Sequence, residues 1–342
     1  MILFYVLLLT IALFGLRHKK DNQAYISVQQ TNAIKGIFIW LVFLGHILPY
    51  MTKAQPFDMF IDKAASMFVA YFKQLVVVPF LFYSGYGVMN SIKNKGTGYV
   101  NSIPKKRVLN TMVNFSVAVS IFICMNLILG IPMELKQAML SYLSWESVGN
   151  SNWYIFTICI CYLTSYISHK LFGYTGRSLI SNFCILSAFI LIISRFKGSW
   201  WYDTCFAYAA GCAFCYYKDR IEAAISRKYY IYGAAVAAAF AISYILQAKI
   251  PSLAPLSMNI CSMFFAMSIV ILSMKFELKS RVLEWSGKNL FPLYIYQRLP
   301  MILFATISGG SLLGDLKYLY VIICAVVTIA IVHLYKYITI KL

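Results

Sequence analysis

The sequence predicts an all-α fold, a polytopic transmembrane bundle of about eleven membrane-spanning helices. Of its 342 residues, 61% are hydrophobic and 12% are charged, and the mean hydropathy is +0.72. Soluble domains carry about 45–50% apolar and about 25% charged residues. The apolar residues form successive runs, separated by short loops that hold most of the Lys and Arg residues. Each run is long enough, or nearly so, to cross a hydrocarbon core of about 30 Å.

The first apolar run, residues 1–16, precedes the basic tetrapeptide Arg17-His18-Lys19-Lys20. A signal peptide carries its positive charge before the apolar region, so the reversed order indicates a retained first helix. The other predicted spans are 33–51, 66–92, 108–131, 152–171, 179–194, 200–217, 229–248, 255–274, 289–306 and 318–335. We therefore expect an extra N-terminal transmembrane helix with a basic cytoplasmic linker over residues 1–32. A membrane bundle of about ten helices should occupy residues 33–342.

The distribution of Lys and Arg predicts the orientation. If the N-terminus lies outside, 20 of the 30 Lys and Arg residues fall on the cytoplasmic side and 7 on the outer side. The remaining three, Lys35, Lys73 and Arg298, lie within predicted helices. Positive-inside bias therefore predicts a multi-pass protein of the cytoplasmic membrane, with its N-terminus outside and its C-terminus in the cytoplasm.

Two features that could suggest other functions do not do so here. The net charge of +19 is spread over short interhelical loops rather than forming a basic stripe, so we expect no nucleic-acid partner. All nine cysteines fall in apolar runs, and no His or carboxylate lies near Cys212 and Cys215 at zinc-ligand spacing. We therefore expect no metal site and interpret the cysteines as small buried hydrophobic residues.

The segment from Lys35 to His46 contains the first candidate site. An apolar helix-length run separates these two titratable residues. Eleven positions at about 100° each bring both side chains to one helix face, roughly 16 Å apart along the axis. An ionisable residue inside a membrane helix is costly and is usually functional. The alternative is that Lys35 extends to the lipid headgroups while His46 hydrogen-bonds a neighbouring helix.

Further candidates lie in the next predicted span and in the loop that follows it. Ser84 and Tyr86 flank Gly85 within an aromatic run, where they could contact a substrate or simply allow close helix packing. The loop then ends in three basic residues, Lys105, Lys106 and Arg107, which we call the basic triplet. It could bind the phosphates of an acyl-CoA, although anionic lipid headgroups would also explain its charge.

Aromatic and polar residues at two later helices complete the set. Trp153 and Tyr154 open the 152–171 span, where they could form an acceptor rim or anchor the helix at the interface. Tyr296 and Gln297 lie in a span that also contains two prolines. A broken polar helix at membrane depth is tolerated where it borders a cavity, but interhelical hydrogen bonding is the alternative.

Taken together, these motifs resemble the acyltransferase 3 family of integral-membrane acyltransferases. Lys35 and His46 match the family's Arg/Lys, ten residues, His pattern, and Phe80 to Tyr86 looks like its aromatic run into Ser-Gly. The basic triplet, Trp153-Tyr154 and Leu293 to Tyr296 are similar to later family landmarks. The resemblance spans roughly residues 30–335, with one helix in front of the usual ten.

The sequence departs from the family pattern at three positions. Lys35 occupies a position at which Arg is commoner in the family. Asn32 occupies a position before it at which the family often has an acidic residue. Gln297 occupies the position after the tyrosine at which the family often has His. The last two departures remove potential proton carriers. They place more of the expected chemistry on His46.

The resemblance implies transfer of an acyl group, most often acetyl, from cytoplasmic acyl-CoA to a hydroxyl of a cell-surface polysaccharide or its lipid-linked precursor. It implies His46 as general base or transient acyl carrier, with Lys35 stabilising the donor or positioning the helix. The other candidate residues would bind the acceptor or the donor phosphates. Acyl-CoA would be a co-substrate, with no permanently bound cofactor. Membrane lipid and a glycan or lipid-linked sugar would be partners, and a homo-oligomer is compatible with the sequence.

Two functions of other classes fit some of the same features. A secondary transporter or flippase for a small or lipid-linked solute would also have broken helices and a buried histidine. A catalytically silent partner in an envelope-polysaccharide assembly is the third hypothesis. No convincing internal repeat relates the two halves of the sequence, which favours the enzyme over a transporter.

Overall fold

Long helices dominate the computed structural model, which describes residues 2–54, 60–250, 254–307 and 316–340. The helices are α1 Ile2–Gly15, α2 Val28–Ala54, α3 Phe60–Phe72, α4 Val78–Ile103, α5 Asn110–Ile128, α6 Leu135–Tyr142, α7 Trp153–Phe172, α8 Gly176–Ile193, α9 Cys205–Tyr216, α10 Lys218–Arg227, α11 Tyr229–Lys249, α12 Ala254–Ser273, α13 Arg281–Lys288, α14 Leu290–Tyr296, α15 Arg298–Ile307 and α16 Lys317–Ile338. Two short strands, β1 Leu16–His18 and β2 Phe276–Leu278, pair with each other. The 3₁₀ segments are Lys73–Val77 and Ser199–Trp201, and a π-helical turn covers Pro104–Leu109.

The predicted all-α polytopic bundle is confirmed. Within the described residues, eight helical segments are long and apolar enough to cross a membrane. One of them, Gln74–Ile128, has 55 residues and covers most of two predicted spans, 66–92 and 108–131. Two other predicted spans correspond to shorter helices, since α1 has 14 residues and α9 has 12.

The long Gln74–Ile128 segment is divided near its middle. Gly96 has φ 59° and ψ −147°, which is not helical, and glycine adopts a positive φ at little cost. The π-helical turn follows eight residues later and contains the basic triplet. The break therefore lies where the sequence predicts a loop between two membrane crossings.

Two pairs of helices make unusually close backbone contact through glycine. On α4, a Cβ added to Gly85 would lie 2.1 Å from the Tyr208 carbonyl oxygen, and one added to Gly211 of α9 would lie 2.0 Å from that of Phe82. On α2, a Cβ at Gly36 would lie 2.0 Å from the Leu283 carbonyl oxygen of α13. Small residues allow membrane helices to approach closely, and here they align α4 with α9 and α2 with α13.

The basic linker after α1 forms a clasp rather than an unpaired loop. Strand β1 pairs antiparallel with β2, so that Leu16 lies opposite Leu278 and His18 opposite Phe276. The Lys279 amide donates to the Gly15 carbonyl at 2.8 Å, which extends the pairing to the end of α1. Hydropathy does not predict this pairing, because the strands are only three residues long. The clasp satisfies backbone groups where two helices end.

Candidate active site

His46 lies on α2, at the wall of a cavity of about 170 Å³. The lining residues of this His46 cavity are Tyr5, Leu41, Val42, Gly45, His46, Phe68, Val69, Phe72, Gln74, Val76, Val77, Trp153 and Tyr294. The Nδ1 atom of His46 is buried and has no hydrogen-bond partner within the described part of the chain. A buried unpaired ring nitrogen is costly in a folded protein, so this atom is a candidate to accept a proton or a substrate hydrogen bond.

A second cavity, of about 280 Å³, meets the first at Tyr294. Its lining residues are Phe80, Ser84, Asn110, Thr111, Asn114, Tyr154, Ile155, Ile158, Tyr162, Leu290, Phe291, Tyr294 and Tyr335. The Tyr294 ring lies 6.1 Å from the His46 ring and 5.1 Å from the Tyr154 ring, measured between centroids. Among the described residues, Tyr294 alone lines both cavities. We call the second cavity the Ser84 cavity.

The Ser84 cavity extends along α7 toward the end of the bundle that carries the basic triplet, called here the basic end. From Tyr154 to Tyr162 the α7 axis rises about 12 Å, since eight residues at about 1.5 Å separate them. The Arg107 guanidinium lies 6.0 Å from the centre of the Tyr162 ring, and its Nε donates to the Tyr99 hydroxyl at 3.1 Å. The cavity therefore connects the surroundings of the basic triplet with the neighbourhood of His46.

The two lysines of the basic triplet, Lys105 and Lys106, are exposed on the π-helical turn and line neither cavity. Each can contact a polyphosphate at the surface but not a group deep in the bundle. They could therefore bind an anionic group only at the surface of the bundle.

Lys35 lies on the same continuous helix as His46, as the spacing requires. It lines neither the His46 cavity nor the Ser84 cavity, and no hydrogen bond or ion pair joins it to another residue within the described ranges. The neighbouring Gly36 packs against the backbone of α13 at the basic end. Lys35 therefore lies about 16 Å along the helix axis from His46, too far to contact the same small group.

The structure separates the predicted substrate-binding residues into two sets. Ser84 and Tyr154 line the Ser84 cavity, and Trp153 lines the His46 cavity. Tyr86, Tyr296 and Gln297 line neither.

The three residues outside the cavities have other surroundings. The Tyr86 ring packs 6.2 Å from that of Phe214, and the Tyr296 ring lies 5.9 Å from that of Tyr335. The Gln297 side chain is buried and donates from Nε2 to the Tyr294 carbonyl at 3.1 Å. Gln297 therefore stabilises the break between α14 and α15.

Three residues around His46 are not among the predicted site residues, although Arg298 is predicted to lie within a membrane helix. In the sequence, Tyr294 stands out only as part of the Leu293 to Tyr296 motif, although the residue lines both cavities. Arg298 follows one helical turn later and donates from Nη2 to the hydroxyl of Tyr50, which lies one turn after His46 on α2. Tyr5 comes from the N-terminal helix. An arginine at membrane depth was the one signal that could have pointed to this cluster.

The arrangement can bring two molecules together at one histidine. One cavity leads from the basic end to Tyr294, and the other lies beside His46 on the far side of that ring. Both cavities have mainly apolar and aromatic walls with a few hydroxyl groups. Such walls exclude water and favour a group-transfer reaction over hydrolysis.

Comparison with known proteins gives one match. The sequence model of the acyltransferase domain Acyl_transf_3 matches residues 28–335, which covers both cavities except for Tyr5. Neither a curated protein nor a solved structure matches the chain.

Proposed function

Because the chain belongs to the acyltransferase 3 family and is an integral membrane acyltransferase, we propose that it moves an acyl group, in the first instance acetyl, from cytoplasmic acyl-CoA to a sugar hydroxyl. The acceptor would be a cell-surface polysaccharide or its lipid-linked precursor. One observation carries the proposal: a cavity from the basic end and a cavity containing His46 meet at a single ring, that of Tyr294.

The donor side follows from charge and shape. The basic triplet would attract the phosphates of acyl-CoA, because clustered Lys and Arg raise the local concentration of polyphosphates. The pantetheine arm would then occupy the Ser84 cavity, which extends about 12 Å along α7. Arg107 lies at the mouth, beside the Tyr162 ring that lines this cavity. The thioester would thus reach Tyr294, next to His46.

The transfer step needs one proton acceptor. His46 would take the proton of the acceptor hydroxyl while the hydroxyl oxygen bonds to the thioester carbonyl carbon. The carbon–sulfur bond then breaks, and the proton passes from the imidazole to the departing CoA thiolate. The unpaired Nδ1 atom is available for this role. No metal ion or bound cofactor is required.

Formation of an acyl-His46 intermediate, later attacked by the sugar hydroxyl, is the alternative route. The two routes differ in whether the protein itself becomes labelled. After brief exposure to radiolabelled acetyl-CoA without acceptor, the protein would carry label that His46→Ala abolishes. A direct transfer leaves the protein unlabelled.

Lys35 would act at a distance from the reacting atoms. It lines neither cavity, so we assign it the positioning of α2 at the basic end and attraction of the donor phosphates. Lys35→Met should therefore raise the KM for acyl-CoA more than it lowers kcat. A fall in kcat with an unchanged KM for acyl-CoA would contradict this assignment.

The topology follows from the same reasoning. Acyl-CoA is a cytoplasmic metabolite, so the basic end would face the cytoplasm, in agreement with the positive-inside distribution of Lys and Arg. His46 would then lie toward the outer half of the cytoplasmic membrane, with the N-terminus outside and the C-terminus inside.

The decisive experiment measures acyl transfer in native membranes. Membranes that contain wild-type protein, His46→Ala or His18→Ala, at matched expression, receive radiolabelled acetyl-CoA, and the label in the glycan fraction is counted. His18 is the control because it lies exposed at the clasp. Loss of a general base lowers the rate by about 10²–10⁴-fold, so His46→Ala should fall to background while His18→Ala matches wild type.

Other outcomes separate the rival functions. Equal label with wild type and His46→Ala would remove His46 from the chemistry. If wild-type membranes transfer no label but accumulate a translocated lipid-linked sugar, the transporter hypothesis replaces the enzyme.

A further inference from the structure

The N-terminal helix α1 contributes a wall of the His46 cavity, although it lies outside residues 28–335 that match the family model. Six of its fourteen residues are exposed apolar side chains, with Leu3 70% exposed and Phe14 88% exposed. One polar ring turns inward instead: Tyr5 lines the His46 cavity and packs edge-on against Phe68, with ring centroids 5.6 Å apart. A helix that served only as an anchor would not need this residue.

The clasp explains why Tyr5 reaches the depth of His46. Gly15, at the end of α1, packs against the Lys279 carbonyl, and a Cβ there would lie 2.6 Å from it. Gly36 of α2 packs against Leu283, four residues further along the same segment. From Gly15 to Tyr5 and from Gly36 to His46 are ten residues each, about 15 Å along either helix. The two helices thus both pack against this short segment, and similar lengths of helix carry Tyr5 and His46 to one cavity.

The Tyr5 hydroxyl is buried and has no hydrogen-bond partner within the described ranges of the chain. Leaving a buried hydroxyl unpaired costs free energy comparable to a lost hydrogen bond. A tyrosine near the membrane surface usually extends its hydroxyl to water, but Tyr5 lines the cavity and its hydroxyl is buried. The hydroxyl therefore suits a ligand that supplies a hydrogen-bonding group beside His46.

We propose that α1 is part of the active site and that Tyr5 binds the acceptor, hydrogen-bonding a second hydroxyl or ring oxygen of the sugar whose reacting hydroxyl faces His46. This inference rests on the proposed function and deepens it by naming a residue outside the family-matched segment that holds the acceptor ring. The donor lies on the other side of Tyr294, in the Ser84 cavity, so Tyr5 has no contact with acyl-CoA. Tyr5 is a positioning residue for the acceptor.

The test compares transfer with hydrolysis. Native membranes that contain wild-type protein, Tyr5→Phe, Tyr230→Phe or His46→Ala receive radiolabelled acetyl-CoA, and label is counted both in the glycan fraction and as free acetate. The His46→Ala counts are subtracted as background. Tyr230→Phe is the matched control, because it also removes one tyrosine hydroxyl but at an exposed site on α11, where Tyr230 is 85% exposed.

Tyr5→Phe should lower glycan labelling roughly three- to tenfold, the expected effect of losing one neutral hydrogen bond. The share of acetyl groups released as free acetate should rise, because donor activation is intact while the acceptor is poorly held. Tyr230→Phe should match wild type in both counts.

Two results would overturn the inference while leaving the proposed function intact. One is unchanged glycan labelling by Tyr5→Phe. The other is a parallel fall of glycan label and free acetate, which indicates a structural role only. Absence of His46-dependent transfer in wild type would instead refute the proposed function, and the inference with it.

Discussion

The contact between α4 and α9 offers a quantitative test of the structure. Gly85 follows Ser84 of the Ser84 cavity, and a Cβ added to Gly85 would lie 2.1 Å from the Tyr208 carbonyl oxygen. Ordinary van der Waals contact begins at 3.4 Å, so Gly85→Ala requires the two backbones to separate by about 1.3 Å at this point. Backbone cannot move aside as the end of a flexible side chain does. The cost therefore falls on the packing of two whole helices.

The magnitude follows from two opposing effects. Overpacking a tightly packed site costs about 1–3 kcal/mol, whereas alanine in a helix interior is more favourable than glycine by about 0.8–1 kcal/mol. The difference is a net loss of up to about 2 kcal/mol in the free energy of unfolding of Gly85→Ala. Gly211→Ala meets the Phe82 carbonyl at 2.0 Å and should cost as much. Because either methyl separates the same helices, the double variant should cost less than the two singles combined.

The assay is reversible unfolding of purified protein in mixed micelles, followed by far-UV circular dichroism. Gly87→Ala is the matched control: it lies on the same helix, and an added Cβ there meets nothing within 4 Å. That variant should be neutral or slightly more stable than wild type. If Gly85→Ala and Gly87→Ala have equal unfolding free energies, the close approach of α4 and α9 is refuted.

Three further predictions concern the donor, the shared ring and the clasp. Replacing the basic triplet with glutamines should raise the KM for acetyl-CoA roughly tenfold or more, yet leave the KM for acetyl-pantetheine, which lacks the nucleotide phosphates, within about twofold. Tyr294→Ala should join the two cavities and raise the free-acetate share of turnover, whereas Tyr294→Phe keeps the ring and should match wild type in that share. Burial alone would raise the pKa of the Glu277 carboxyl, but Lys279 and Lys19 lower it below its ordinary value of 4.5. Its stabilising contribution is therefore present above pH 4.5 and lost as the pH falls through the folded-state pKa, so Glu277→Gln should flatten the fall in Tm on acidification.

Hydropathy and spacing predict much of this molecule because the bilayer imposes strict requirements. Apolar runs of helix length can span only as helices, so the all-α bundle follows from composition and run length. The eleven-residue separation of Lys35 and His46 required a continuous helix between them, and α2 provides it. The sequence allows either a cavity contact or close helix packing around Ser84 and Gly85, and the structure has both. Ser84 lines a cavity, and Gly85 permits close helix packing.

The remaining features depend on contacts between residues far apart in the chain. Pairing of β1 with β2 joins segments about 260 residues apart, and neither strand has a pattern long enough to read. Tyr5 could not be linked to His46, because an apolar helix with one tyrosine is also what an interfacial anchor would have. Only the structure shows that both helices pack against one short segment, at Lys279 and Leu283, and that Tyr5 and His46 line one cavity.

The choice between two tyrosines shows where sequence reasoning reached its end. Tyr294 and Tyr296 are two positions apart, so on a helix they point about 200° from each other, and only one of them can face His46. The resemblance to known motifs does not say which. The buried hydrogen bond from the Gln297 side chain to the Tyr294 carbonyl stabilises the break at the end of α14. Arg298, at the start of α15, donates a hydrogen bond to the hydroxyl of Tyr50 on α2. In this arrangement the Tyr294 ring packs near His46 and the Tyr296 ring packs near Tyr335. The helix break therefore determines which of the two tyrosines lines the cavities.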